Sequence, residues 1–288
     1  MPLEFSSKRA VPRDQETSIT LKSISEKMAF EGKVVIITGS SSGLGQDAAL
    51  LFGSQGAKVT IHGQNPGRIE ETLKLLSSKS IPAENVHTVR GPLEEESIVR
   101  ALIDETVEKF GQIDFVINNA GCYEKSGAEE PESIDTYDYV MAVNLRSPIL
   151  LTKLAVPHLE KTKGCVVNVS SMLSIMPIYI GAYYSTSKAA LDHYTKVAAL
   201  RLAPKRKPGT SIRRFWAPTV REHRWISWRC TQNDLDSRTP LARRASPREI
   251  NSVVEFLCSP ASSFITGSVI VADGGFLSGV LPPKSLNL

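Results

Sequence analysis

Tyr184 and Lys188 stand four residues apart at the start of a run with helical periodicity, in which Ala189, Ala190, Leu191, Tyr194, Val197, Ala198 and Leu202 recur at three- and four-residue steps. Residues at that spacing share one face of a helix. A phenol, with a reference pKa of about 10, is a poor acid or base at neutral pH; a nearby ammonium stabilises the phenolate and lowers that value. Ser171 follows the apolar, β-branched run Cys165-Val-Val-Asn-Val169, which reads as a buried strand. From the end of that strand its hydroxyl can reach the same substrate oxygen. The three residues form a candidate acid/base device. The same spacing also suits a Tyr and a Lys on a solvated helix face.

Such a device needs a scaffold that gathers strand ends and helix starts, and the upstream chain supplies one. Residues 33–38, Lys-Val-Val-Ile-Ile-Thr, read as a buried parallel strand. The turn Gly39-Ser-Ser-Ser-Gly43-Leu-Gly45 follows, then a helical run over 46–53. Glycines placed so allow a tight turn and a close approach of backbone to a pyrophosphate, which the start of the helix favours. A plain strand-to-helix turn is the other reading. The second strand, 57–62, ends in Gly63-Gln64-Asn65. An acidic residue at that point bonds the adenosine ribose of NAD, whereas a basic neighbourhood suits the extra phosphate of NADP. No carboxylate stands there and Arg68 is nearby, so NADP(H) is favoured over NAD(H).

Helices over 68–78 and 93–110 alternate with strands over 85–89 and 113–117, a pattern that predicts an α/β fold with a doubly wound parallel sheet of about seven strands and helices on both faces. Asn118-Asn119-Ala120-Gly121 follows the fourth strand, at the edge where such sheets bind ligands; an ordinary polar turn uses the same residue types. A helix over 133–143 runs through Asn144 into another over 148–159. Asn in mid-helix marks a kink, a surface residue or a side chain aimed into the site.

Together these motifs resemble the short-chain dehydrogenase/reductase family in its compact single-domain form. The likeness covers residues 30–203 and resumes over 240–277, where Ile265-Thr-Gly-Ser-Val-Ile-Val-Ala-Asp273-Gly-Gly275 is similar to the family's last strand and closing turn. Asn144, Ser171, Tyr184 and Lys188 match its catalytic tetrad, including the thirteen-residue step from Ser171 to Tyr184. The resemblance implies hydride transfer between a nicotinamide and a carbonyl or secondary alcohol. Tyr184 is then the general acid or base. Lys188 lowers its pKa and holds the nicotinamide ribose, Ser171 bonds the carbonyl oxygen, and Asn144 holds a water linking Lys188 to solvent. Thr38, Gly39, Ser41, Ser42, Gly43, Leu44, Gly45, Gln64, Leu93, Asn119, Ala120 and Gly121 are the implied cofactor contacts, with Tyr184 and Lys188. The stretch Gly91-Pro92-Leu93 replaces the Asp that the family usually sets against adenine, and Pro92 cannot play that part. The family likeness also implies a homodimer or homotetramer through helices over 133–159 and 184–203.

At 288 residues, 41% of them hydrophobic and 22% charged, the chain is long enough for one large core, and a single domain over 29–277 accounts for it. Residues 1–28 read as a flexible extension and 278–288 as a loose tail. The formal charge of +4 is spread along the chain, which gives no nucleic-acid surface. No apolar run approaches the ~20 residues of a membrane span. The N-terminus lacks the apolar core of a secretory signal, and Glu4, Asp14, Glu16 and Glu26 argue against a mitochondrial transit peptide; a cytoplasmic protein is expected. Cys122, Cys165, Cys230 and Cys258 have no metal-ligand spacing and read as free thiols, so no metal is expected.

Residues 205–239 depart from the pattern. A strand, a Pro-Gly turn and a substrate lid are expected there, but the chain reads Ser211-Ile-Arg-Arg-Phe-Trp-Ala-Pro218 and onward to Cys230, with all three tryptophans inside it. Arg213 and Arg214 would bury charge in a core strand. The segment is a divergent lid for an acidic or aromatic substrate, a partner surface rich in Trp and Arg, or a stretch read out of frame. If the nicotinamide loop is damaged, the alternative function is a cofactor-binding or interaction module without turnover.

Overall fold

The β-branched runs pair into one parallel sheet because each is followed by a helix long enough to carry the chain back to the same edge. The computed structural model describes residues 29–125, 127, 130, 132–177, 181–202, 211–217 and 239–278, with 211–217 described by backbone alone. The strands are β1 (Val34–Ile37), β2 (Lys58–Gly63), β3 (Val86–Arg90), β4 (Phe115–Asn118), β5 (Cys165–Ser171), β6 (Ser211–Ala217) and β7 (Val269–Val271). Their order is β3-β2-β1-β4-β5-β6-β7. The chain winds outward from β1 to β3, then returns to the far side of β1 with β4. The crevice at that reversal lies beyond the carboxyl ends of β1 and β4, where doubly wound sheets bind ligands.

Alternation along the strands feeds two cores. Val35 and Ile37 of β1 face a cluster with Phe52, Ile61, Leu76 and Val254; Ile36 faces the opposite cluster with Leu102, Val116, Leu151 and Val166. The first cluster is covered by α1 (Gly43–Ser54), α2 (Pro66–Ser78) and a late helix, Pro247–Cys258. The second is covered by α3 (Glu96–Phe110), α5 (Ser147–Thr162) and α6 (Ala182–Leu202). Helix α4 (Ile134–Met141) precedes α5, and the late helix is α7. Ser246 and Glu249 cap α7 reciprocally, as the Ser-Pro-Arg-Glu sequence predicts.

Within 205–239, the stretch 211–217 forms β6, with Val167 paired to Arg213 and Asn168 to Arg214. A ladder needs only backbone groups, so two arginines do not prevent it. The rest of that segment up to Arg238, the proposed extension at 1–28 and the tail at 279–288 lie outside the described residues. Among the described residues no helix is long and apolar enough to cross a membrane, and no group of acidic, His or Cys residues could hold a metal ion.

Candidate active site

The glycine turn is built to a tolerance that a side chain would break. Gly39 adopts φ +65°, and a Cβ on Gly45 would lie 2.5 Å from Asn119 Nδ2. No side chain caps the N-terminus of α1 and no acid occupies its first turn. This combination fits a pyrophosphate, which takes backbone N–H donors and the positive helix end. Ser41, Ser42 and Leu44 belong to that turn; Leu44 O accepts a bond from Asn251 of α7 at 2.9 Å.

Thr38 and Asn119, two of the implied cofactor contacts, hold the turn. The Thr38 hydroxyl accepts from Asn119 N and Ala120 N, each at 3.0 Å, and Asn119 Nδ2 donates to Thr38 O at 2.9 Å and Gly39 O at 3.2 Å. These bonds stitch the end of β1 to the end of β4. The Leu93 side chain is buried with Val89, Val99 and Leu102, as an apolar residue beside a core strand should be. Gln64 shares a hydrogen bond with the phenol of Tyr139 on α4.

His62 carries a role that no local pattern signals. Gly39 N donates to its Nδ1 at 3.1 Å, so Nε2 bears the proton and donates to Gly91 O at 3.0 Å. Burial holds this imidazole neutral, its pKa lowered to about 4. One ring thus fixes the glycine turn to the segment after β3.

Asn144 lies in a π-helical turn, Ala142–Arg146, between α4 and α5, and is fully buried. Its Oδ1 accepts from Cys122 N at 2.8 Å, while Nδ2 donates to Cys122 O at 2.8 Å and to Ser187 Oγ at 3.0 Å. Ser187 Oγ in turn donates to Tyr184 O at 2.7 Å. Both amide hydrogens are therefore used inside the protein. The side chain clamps the loop after β4 to the first turns of α6 and has no donor left for a relay water.

Ser171, Tyr184 and Lys188 converge at the same edge. Ser171 Oγ ends β5, accepts from Leu173 N at 3.2 Å and bonds the Tyr184 phenol. Lys188 is 2% exposed; its Nζ donates to Val169 O at 2.9 Å and stands 5.7 Å from the Tyr184 ring centroid. A Cβ on Gly121 would come within 3.3 Å of that Nζ, so the glycine lets the loop pass over the lysine. The acidities run against the expectation from spacing. Burial pushes the Tyr184 phenol up to about 12, with the Ser171 bond opposing and Tyr123 and Cys122 adding to the rise. Burial also lowers Lys188 to about 8. Desolvation, which disfavours both charged forms, outweighs the attraction that an i, i+4 pair suggests. Cys122, the residue after the Asn-Asn-Ala-Gly turn, reaches the site as well, its thiol pushed up to about 12 by burial.

The glycine turn at the sheet's reversal thus shares a sheet edge with Ser171, which ends β5, and with Tyr184 and Lys188, which lie in the first turns of α6. The chain belongs to the short-chain dehydrogenase/reductase family: a family model described as enoyl-(acyl carrier protein) reductase matches residues 39–277. It is similar to the meso-2,3-butanediol dehydrogenase of Serratia marcescens, 31% identical over 89% of this chain and 99% of that protein. Among solved structures, a short-chain dehydrogenase/reductase of unknown function from Caenorhabditis elegans, with cofactor, superposes at a TM-score of 0.79, with 32% identity over 87% of this chain and 97% of that one. A glucose dehydrogenase of the same organism gives 0.75 and 35% identity over 86% and 99%. The protein transfers hydride between a nicotinamide cofactor and a carbonyl or secondary alcohol.

Proposed function

We propose that Tyr184 is the proton donor or acceptor of this reaction, that Ser171 holds the reacting oxygen, and that Lys188 and Asn144 set the site around them. The bound nicotinamide supplies or takes the hydride. The observation that carries the reading is the convergence of Ser171, Tyr184 and Lys188 on one strand edge, with Asn144 tied through Ser187 to the backbone of Tyr184 itself. With its acidity held down by burial, the Tyr184 phenol is protonated at neutral pH, the form that carbonyl reduction needs. Ser171 shares a bond with that phenol and so places the substrate oxygen beside the proton. Tyr184→Phe tests the assignment. Turnover is expected to fall by about 1,000-fold or more, while NADPH affinity by fluorescence titration changes less than about 3-fold. Steady-state reduction retained in that variant overturns it.

The cofactor is assigned as NADP(H). Gln64 is neutral and bonded to Tyr139, no carboxylate ends β2, and the exposed Arg68 opens α2 beside it. NADPH is expected to bind at least about 10-fold more tightly than NADH, and Arg68→Ala to erase most of that ratio. The assembly is assigned as a homodimer or homotetramer through α4, α5 and α6. Ile134 and Leu200 are 68% and 72% exposed on α4 and α6, and Met141, Ala142, Leu145 and Ile149 line an apolar groove between Asp138 and Arg146. A single monomeric boundary in sedimentation at micromolar concentration counts against it. The thiol of Cys122, which is in no disulfide, suits a reducing compartment, and we place the protein in the cytoplasm.

A further inference from the structure

Tyr123 stands two residues beyond the Asn-Asn-Ala-Gly turn, and its ring lies on that of Tyr184. The centroids are 5.1 Å apart with the planes inclined by 29°. The Tyr123 hydroxyl is buried and has no hydrogen-bond partner among the described residues. Buried phenols ordinarily find a partner, because leaving a polar hydrogen dry costs the solvation it gave up. Here the chain makes room for that hydroxyl. Gly181, just before α6, adopts φ +73°, and a Cβ at that point would overlap the Tyr123 hydroxyl. Burial also raises the Tyr123 pKa, so the phenol keeps its proton and can both donate and accept.

An unpaired hydroxyl on a ring stacked over the proposed proton donor is a hydrogen-bond position kept for something that enters with the substrate. We propose that Tyr123 determines substrate specificity by bonding a second oxygen on the carbon next to the reacting one, so that vicinal diols, α-hydroxy ketones and α-diketones are the favoured substrate class. The inference rests on Tyr184 as the group that meets the reacting oxygen. Two stacked phenols then address two neighbouring oxygens, Tyr184 the one that changes oxidation state and Tyr123 the one that does not. A substrate with a single oxygen leaves the Tyr123 hydroxyl dry, and sites built around such a bond discriminate strongly against analogues that lack it.

The test compares cyclohexane-1,2-diol with cyclohexanol, each oxidised with NADP+ by the parent protein and by Tyr123→Phe, which keeps the ring and removes only the hydroxyl. The parent is expected to favour the diol by at least about 10-fold in kcat/KM, mainly through KM, and Tyr123→Phe to bring that ratio to within about 3-fold of one. A parent that does not discriminate, a parent that oxidises neither alcohol, or a Tyr123→Phe ratio equal to the parent's overturns the proposal. Tyr184→Phe measured alongside separates the two readings. If it still oxidises either alcohol, the assignment of Tyr184 fails; if it is inactive while Tyr123→Phe keeps the parent's ratio, only the role of Tyr123 fails.

Discussion

Lys188 Nζ donates to the backbone carbonyl of Val169 at 2.9 Å and has almost no contact with solvent, which makes a group needed for chemistry a burden on the fold. Its folded pKa of about 8 lies below the ordinary lysine value of 10.5. The native state therefore pays the full cost of the buried ammonium below pH 8, and that cost disappears as pH rises towards 10.5. Lys188→Met removes the charge and keeps the volume, losing one bond to Val169 O. The desolvation relieved exceeds the value of that bond, so the variant is expected to be more stable at pH 7 by about 1–3 kcal/mol and inactive. Thermal denaturation at pH 7 and pH 10 checks it. A Tm below the parent's at pH 7 would show that the hydrogen bond wins.

Asn144 is the opposite case, a polar side chain whose removal leaves buried groups stranded. Asn144→Ala deprives Cys122 N–H and Cys122 C=O of their partner. Each orphaned backbone group costs about 1–3 kcal/mol, so a loss of about 2–4 kcal/mol is expected. Turnover should fall with it, because the loop that carries Tyr123 is no longer fixed to α6. Urea denaturation together with kcat measures both. A variant of unchanged midpoint contradicts the clamp.

What was legible in the sequence follows from how local each feature is. The glycine turn, the strand–helix alternation and the Tyr184–Lys188 spacing each sit within one or two elements, so periodicity exposes them. The α7 cap is readable for the same reason. Other features join segments distant in the chain. The ring of Tyr123 meets that of Tyr184 across the sheet edge. His62 links Gly39 to Gly91 and has no spacing rule to betray it. The weak acidity of Tyr184 is not legible either, because an i, i+4 lysine is visible in sequence and desolvation is not. The packing of Leu93 into the second core is equally hidden, because its partners come from β3 and α3.

His62 gives a prediction whose sign follows from its neutrality. Its folded pKa, about 4, lies below the ordinary histidine value of 6.5. Stability from the neutral ring is complete above pH 6.5 and is lost as pH falls from 6.5 towards 4, on the order of 3 kcal/mol in all. Protonated Nδ1 can no longer accept from Gly39 N–H, so the glycine turn loosens over the same window. His62→Gln, which does not titrate, is expected to be less stable than the parent at pH 7 and to lose less between pH 7 and pH 4.5. Tm measured across that range decides it; parallel curves for the two proteins would rule out His62 as the source.

Gly45→Ala sets two effects against each other. Alanine in a helix is favoured over glycine by about 0.8–1 kcal/mol, so propensity alone predicts a gain. The new Cβ would stand 2.5 Å from Asn119 Nδ2, the amide that holds Thr38 O and Gly39 O. It also presses on the Gly39 carbonyl, and backbone at the end of a core strand cannot swing away as a flexible side chain does. Overpacking of this kind costs about 1–3 kcal/mol, enough to cancel the propensity and more. The displaced turn is the one expected to hold the pyrophosphate. Gly45→Ala should therefore lower the melting temperature and weaken NADPH binding by at least about 10-fold, read by fluorescence titration in the absence of any substrate. If the variant melts higher and binds NADPH as the parent does, α1 is free to shift, and the contact with Asn119 does not govern the turn.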